Sequence, residues 1–326
     1  MKHRVITLSK IVITIVLFYF IFKNIDFKIF GQTLQNARPG ILAAAYIVFW
    51  LGHFVCVFRW RMLMQPLMPL RSIQNLLAIY CIGLFFNLTF PTVVGGDVVK
   101  IYYVGKHSNS YSQSFAATFL DRDAGMLAMM IIACAGLLFY PVHIPGVAVE
   151  IIIWSFSAAF IIGNICLFTP RFRRVMIKFF KVFRFFKLAE KMERVSSALR
   201  IIGKKRRILF VAFMVSFLNQ FFAISVVWIT ALGLHLDISF SYFLIFVPVI
   251  TLISMIPISL NGMGLREYAF MSLFSAIGVS PESCIALGLV SSILIILTSL
   301  PGGIIYIFFK NREGDGGFAA IENEYS

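Results

Sequence analysis

The chain has 326 residues, of which 60% are hydrophobic and 13% charged, and its 29 Lys and Arg outnumber 14 Asp and Glu. Soluble domains carry about 25% charged and 45–50% apolar residues, so this chain lacks the charge to clothe a globular surface in water. That argues against a soluble enzyme, a nucleic-acid reader and a disordered scaffold, and for an all-α, polytopic membrane protein.

A spanning helix needs about 20 mostly apolar residues, because about 30 Å of hydrocarbon is crossed at about 1.5 Å per residue. The first run, Leu8–Phe22, follows Lys2, Arg4 and Lys10 and ends at Lys23-Asn24 without a small-x-small cleavage site, so it reads as an uncleaved anchor. Ile41–Phe58 is a second span, closed by Arg59 and Arg61. Ser72–Phe90 is apolar but carries Gln74, Asn75 and Asn87, and it runs into Pro91-Thr92-Val93-Val94-Gly95-Gly96-Asp97. Gly125–Tyr140 and Val147–Thr169 form the next pair, divided by Pro141–Gly146. A loop from Arg171 to Arg207 then holds 14 of the 29 basic residues against Glu190 and Glu193, and alternates aromatic pairs with cations over Phe172–Leu199. It reads as an amphipathic helix on the inner leaflet. Ile208–Leu232 is a full span, and Phe240–Leu260 contains Pro248 and Pro257 and leads into Asn261-Gly262-Met263-Gly264-Leu265-Arg266-Glu267. Met271–Ile277 continues that segment, Cys284–Phe309 is the last span, and residues 311–326 form a polar tail.

Positive charge orients the chain. The Lys2–Lys10 head, the Arg59–Arg71 loop, the Arg171–Arg207 loop and Lys310 with Arg312 belong inside, so both termini are expected in the cytoplasm. The connections at Pro141–Gly146 and Gly233–Ser239, which hold no Lys or Arg, belong outside. Lys23, Lys28 and Arg38 run mildly against this. Both ends of Ser72–Asp121 then fall on one face, and both ends of Phe240–Glu282 on the other. Each is a broken or re-entrant hairpin, and the two enter from opposite sides. With about six full spans, residues 1–140 and 147–309 read as two inverted-topology repeats within one domain, residues 1–310.

Pro and Gly inside a membrane segment free backbone groups that hydrocarbon cannot satisfy, so such breaks survive where protein or water covers them. The candidate breaks are Pro91, Gly95 and Gly96 in the first hairpin and Pro257, Gly262 and Gly264 in the second. Ordinary surface loops between two full spans are the plain alternative. In the sharper reading both tips reach mid-membrane and present helix N-termini to an anion. Charged residues beside the breaks favour it, since an ionisable group in the bilayer costs at least about 2.5–3.5 kcal/mol and usually has a partner or a pathway. Asp97, Lys100, Arg122, Arg266 and Glu267 are the candidates, with Asn87 and Asn261 as intramembrane amides. Arg suits a phosphate as a bidentate fork and Lys as a mobile point charge, while Asp97 and Glu267 would hold those cations in an empty site. Asp123 is read as marking the water interface. Asn219 and Gln220 are equally explained as glue between helices. The five cysteines and five histidines are scattered, so no metal or cofactor is expected, and no nucleophile elbow, P-loop or HExxH occurs.

Asn87-Leu-Thr-Phe-Pro91-Thr-Val-Val-Gly95-Gly96-Asp97-Val-Val-Lys100, followed by Asp121-Arg122-Asp123-Ala-Gly125, resembles the first signature of the lysylphosphatidylglycerol synthase transmembrane region. Pro257-Ile-Ser-Leu-Asn-Gly262-Met-Gly264-Leu-Arg266-Glu267 resembles the second, and the match covers nearly the whole chain. The family includes archaeal dolichol-pathway relatives and many uncharacterised bacterial inner-membrane proteins. In the multiple peptide resistance factors this region resembles a flippase module for aminoacylated phosphatidylglycerol, followed by a cytosolic aminoacyl-transfer domain. The chain here stops at Ser326, so the synthase activity is not expected to carry over. Lys100 stands where the family usually shows Arg, which keeps the charge and loses the bidentate geometry.

The resemblance implies an integral protein of a bacterial or archaeal inner membrane that translocates or handles an anionic, modified or lipid-linked amphiphile. Its expected partners are membrane lipids, a separately encoded lipid-modifying enzyme and further copies of itself, with no nucleic acid. Two rival readings stand beside this one. One is a membrane-embedded headgroup or lipid-linked glycosyl transferase, or its auxiliary subunit, with Asp97 or Glu267 as general base. The other is a secondary transporter of a small anion.

Overall fold

A computed structural model describes residues 2–23, 25–68, 72–90, 95–140, 149–169 and 186–313. These form twelve α-helices and no strand. The first half holds α1 (Lys2–Lys23), α2 (Phe27–Gln35), α3 (Pro39–Met64), α4 (Ile73–Thr89), α5 (Gly95–Ser108) and α6 (Tyr111–Phe139). The second holds α7 (Val149–Phe168), α8 (Phe186–Lys204), α9 (Arg206–Gly233), α10 (Phe240–Ser254), α11 (Leu265–Ser275) and α12 (Pro281–Glu313). Local chemistry sets several starts. The Asp26 carboxylate accepts the N–H groups of Lys28 (2.8 Å) and Ile29 (3.4 Å) to cap α2. Pro39 opens α3, where its missing N–H costs nothing. Ser72 accepts the Asn75 N–H at 3.3 Å to cap α4.

Five helices, α3, α6, α7, α9 and α12, are long and apolar enough to cross a membrane. Residues 12–23 of α1 add a shorter apolar segment, and α4 and α10, at 17 and 15 residues, are short apolar arms. This matches the expected class of full spans plus broken hairpins. Two boundaries differ. Helix α3 continues past Phe58 to Met64, so Arg59 lies inside the protein, 3% exposed, rather than in a cytoplasmic loop. Helix α6 begins at Tyr111, so Asp121-Arg122-Asp123 sits mid-helix instead of opening a span. Pro301-Gly302-Gly303 leaves α12 continuous.

The halves pack by one scheme. Helix α3 runs antiparallel to α9: Arg38 N–H donates to the Gly233 carbonyl at 2.8 Å, Gly52 abuts Phe222, and Arg59 reaches Ser216. Among the described helices, the main neighbour relations of the first hairpin recur in the second. Helix α4 packs on α5 and α5 on α6, as α10 packs on α11 and α11 on α12; α4 packs on α12 as α10 packs on α6. One constant shift in numbering lays Gly96 on Gly262, Lys100 on Arg266 and Gly136 on Gly302. Apolar burial follows the same division. One large cluster surrounds α4 and α5 with Trp60, Leu76, Ile79 and Ile82, the other surrounds α10 and α11 with Phe243, Phe246, Phe270 and Phe274.

Helix α8 packs into the protein: Ala198, Leu199 and Ile202 are buried in the first cluster, and the helix lies against α6 and α9. The basic segment 170–185, the connection 141–148 and the tail 314–326 lie outside the described residues.

Candidate functional site

A cavity of about 430 Å³ opens between the two hairpins, and its lining carries most of the protein's buried charge. Helix α3 contributes His53, Cys56 and Arg59, α4 contributes Tyr80 and Asn87, α5 Asp97 and Lys100, α6 Asp121 and Arg122, and α9 Asn219 and Gln220. The backbone brings these together by close approach. A Cβ on Gly96 would overlap the Gly83 carbonyl, so only glycine lets the start of α5 lie this near α4. The Asn87 amide oxygen accepts the Gly96 N–H at 2.7 Å and pins the crossing.

The ionic contacts form two linked clusters. Asp97 is shared: Oδ1 lies 2.6 Å from Lys100 Nζ and Oδ2 lies 2.7 Å from Arg122 Nη1. Asp121 takes Arg59 Nε at 2.7 Å, and Arg59 Nη1 donates to Ser216 Oγ at 2.8 Å. Lys100 Nζ also lies 5.1 Å from the Tyr80 ring centre and 5.4 Å from that of Trp60, where the ring faces favour a desolvated cation. Trp60 is held by an Nε1 hydrogen bond to Thr118 Oγ1 at 3.1 Å. His53 stacks on Phe49 at 4.8 Å, with Nδ1 3.2 Å from the Tyr80 hydroxyl. Among the described residues, three cations thus meet two carboxylates in this lobe; Arg59 and Lys100 are buried and Arg122 is 32% exposed at its edge.

A second lobe of about 250 Å³ continues from the first, sharing Phe49, Ala223, Thr251, Met255 and Ile295 in its walls. It is mostly apolar and carries Asn261 and Arg266. The second break lies here as well: Asn261, Gly262 and Gly264 have φ of 48°, 74° and 82°, the left-handed region that ends one arm and starts the next. Arg266 donates to Ser292 Oγ at 3.2 Å and to the Asn261 carbonyl at 3.3 Å, and no carboxylate among the described residues lies within ion-pair distance. Glu267 is fully buried; it accepts the Gly264 N–H at 2.6 Å and the Ser292 hydroxyl at 2.6 Å.

A family model for the lysylphosphatidylglycerol synthase TM region matches residues 7–302. The chain belongs to that family. It is also similar to a UPF0104 membrane protein of Pyrococcus horikoshii, 23% identical over 306 residues, which is 86% of this chain and 90% of the relative. No solved structure matches it. This member of the family is an integral membrane protein, as its apolar spans require.

Within this family member, six of the seven polar residues singled out in the sequence reach the cavity. Asn87, Asp97, Lys100 and Arg122 line the first lobe, and Asn261 and Arg266 the second. Glu267 does not line it; its carboxylate caps α11 from behind rather than holding a cation. The helix N-termini are also partly occupied from within, since the Gly96 and Gly264 N–H groups go to Asn87 and Glu267. Of the backbone breaks, Gly95, Gly96, Gly262 and Gly264 sit at the hairpin tips, Pro257 lies in the turn before the second, and Pro91 falls outside the described residues. Asp123 faces a separate groove beside Asn164, and Glu150 is exposed.

Sequence reasoning missed Arg59, Asp121, His53 and Tyr80. A signal existed for the first: His53, Cys56 and Arg59 recur at intervals of three in an apolar run, which puts them on neighbouring positions of one helix face. The positive-inside count hid it by treating Arg59 as a loop residue.

Proposed function

We propose that this protein is a lipid translocase, which draws the anionic headgroup of an amphiphile into the cavity while its acyl chains stay in hydrocarbon. The carrying observation is the charge gathered in the first lobe, where, among the described residues, Arg59, Lys100 and Arg122 face Asp97 and Asp121. Intramembrane charges cost at least about 2.5–3.5 kcal/mol each, and cations in such a cavity gain from a visiting anion. The family to which the chain belongs, and the archaeal membrane relative, support a lipid-related role. The mirrored packing of the two hairpins supports an alternating cavity, with the hairpins entering from opposite faces and both termini in the cytoplasm of a bacterial or archaeal cell.

The transferase reading draws less support from the site. Both oxygens of Asp97 are engaged by cations and Glu267 has no exposure, so neither carboxylate is positioned as a general base.

The test uses proteoliposomes holding a tail-labelled anionic phospholipid and a membrane-impermeant quencher. Wild type is expected to move label between leaflets. Lys100→Ala and Arg266→Ala should each slow it by about 10–100-fold, the loss of one charge-assisted contact of about 1.5–3 kcal/mol. Movement at the wild-type rate in both variants would overturn the role. Uptake of a soluble anion regardless of lipid identity would instead favour a secondary transporter.

A further inference from the structure

We infer that His53 binds a proton together with the amphiphile's anionic group, so that a proton gradient drives the translocase; this rests on the translocase reading above. His53 stands on α3 next to Gly52, where that helix meets α9, and its ring lines the first lobe. Phe49 stacks on one face of the ring at 4.8 Å. One nitrogen is spent within the protein: Nδ1 lies 3.2 Å from the Tyr80 hydroxyl, and that hydroxyl also bonds Cys56. With the hydroxyl hydrogen on the Cys56 sulfur, the Tyr80 oxygen accepts from His53 Nδ1–H, which leaves the Nε2 lone pair for a proton. Nε2 has no hydrogen-bond partner among the described residues and is not sealed from the lobe.

The charges around the ring couple the two ligands. Lys100 Nζ sits 5.1 Å from the centre of the same Tyr80 ring that holds His53, so an imidazolium there faces a like charge. Arg59 on its own helix and Arg122 on α6 add two more cations to this lobe, and Arg266 one to the adjoining lobe. The lobe's carboxylates are engaged elsewhere, Asp97 with Lys100 and Arg122 and Asp121 with Arg59, and neither lies within ion-pair distance of His53. Among the described residues, α9, α10 and α12 give the lobe only neutral side chains. In the empty lobe a proton on Nε2 is therefore opposed by cations, and an entering anion supplies its counter-charge in low-dielectric surroundings. By linkage the proton strengthens anion binding by the same factor as the anion strengthens proton binding. One proton added to the imidazole and one negative charge on the amphiphile then cross as a neutral pair.

Purified full-length protein is reconstituted in phosphatidylcholine vesicles carrying a trace of tail-labelled phosphatidylglycerol, and protein-free vesicles set the background. With the interior held about one pH unit above the exterior, one proton per lipid sets an inner-to-outer ratio of about tenfold. Wild type is expected to approach that ratio and to lose it when a protonophore is added. His53→Gln should bring the ratio towards one. Wild-type label that crosses but stays evenly divided would overturn proton coupling and leave the translocase intact. A gradient-driven ratio kept by His53→Gln would overturn His53 as the site. Proton uptake gives a second measurement that needs no movement: in weakly buffered detergent, wild type should take up protons when dihexanoylphosphatidylglycerol is added, and His53→Gln should take up none. Equal uptake by both proteins would likewise overturn the site. Gradient-driven uptake of water-soluble glycerophosphoglycerol without any lipid asymmetry would overturn the amphiphile as the proton's companion. Label that never crosses overturns the translocase and the coupling together.

Discussion

Arg59 and Asp121 show what a buried pair does at the scale of single residues. Side chains 4% and 8% exposed sit 2.7 Å apart, with Ser216 taking a further guanidinium hydrogen. Removing one partner strands the other's charge in a medium that cannot solvate it, a cost of about 3–5 kcal/mol. Arg59→Met should therefore lower the melting temperature in detergent sharply. Arg59→Met combined with Asp121→Leu should recover most of that loss, because two apolar side chains replace two charges. A double variant no more stable than the single one would show that the pair is not the source of the loss. The cavity residues near the glycine motifs were legible from sequence because a Lys or Arg beside a helix break has a high insertion cost and few explanations. Arg59 was not, since at the end of an apolar run the same residue type has an ordinary reason to meet water.

Helices meet here through glycines whose neighbours decide how much can change. A Cβ on Gly302 of α12 would overlap the Cys81 backbone carbonyl on α4, whereas a Cβ on its counterpart Gly136 of α6 meets the Ile245 side chain at 2.9 Å and Leu244 at 3.5 Å. The buried Ile245 side chain must give by a few tenths of an ångström, whereas relieving the carbonyl overlap requires the backbone of α4 to move. Replacing either glycine by Ala gains about 1 kcal/mol of helix propensity, while overpacking costs about 1–3 kcal/mol. Gly136→Ala should thus lower the melting temperature less than Gly302→Ala; equal melting temperatures would refute the difference. The existence of most helices followed from apolar runs and polar gaps. Their ends did not: α6 carries Asp121-Arg122-Asp123 through its middle, which is tolerable only because Arg59 and Asp97 wait on neighbouring helices.

Across the whole molecule, the two large apolar clusters flank a polar cavity, and α8 and the amphipathic helix α2 lie at opposite ends of the α3–α9 pair. Helix α2 leads into Arg38, which bonds the last turn of α9, whereas α8 leads into that helix's first residue. The proposed topology sets these ends on opposite sides of the bilayer. Gly31 and Gly203 have open space at the Cβ position, so cysteines fit there without strain. An impermeant maleimide added to intact cells should label Gly31→Cys and leave Gly203→Cys until the cells are opened; the native cysteines, in apolar helices, should react little. Labelling of both from outside would overturn the topology.

By itself the sequence determined the class, the approximate spans and the two broken hairpins. Each follows from a local cost: charge and free backbone are expensive in hydrocarbon, so their positions along the chain carry information. Only the tertiary structure decided which charges neutralise one another. Asp97 lies beside Lys100 in sequence but also takes Arg122 from α6, Arg59 finds Asp121 across 62 positions, and Glu267 turns away from Arg266 to cap its own helix. Those pairings depend on helix crossing and rotation, which packing sets through contacts far apart in the chain, and the charge gathered in the cavity emerges only once they are made.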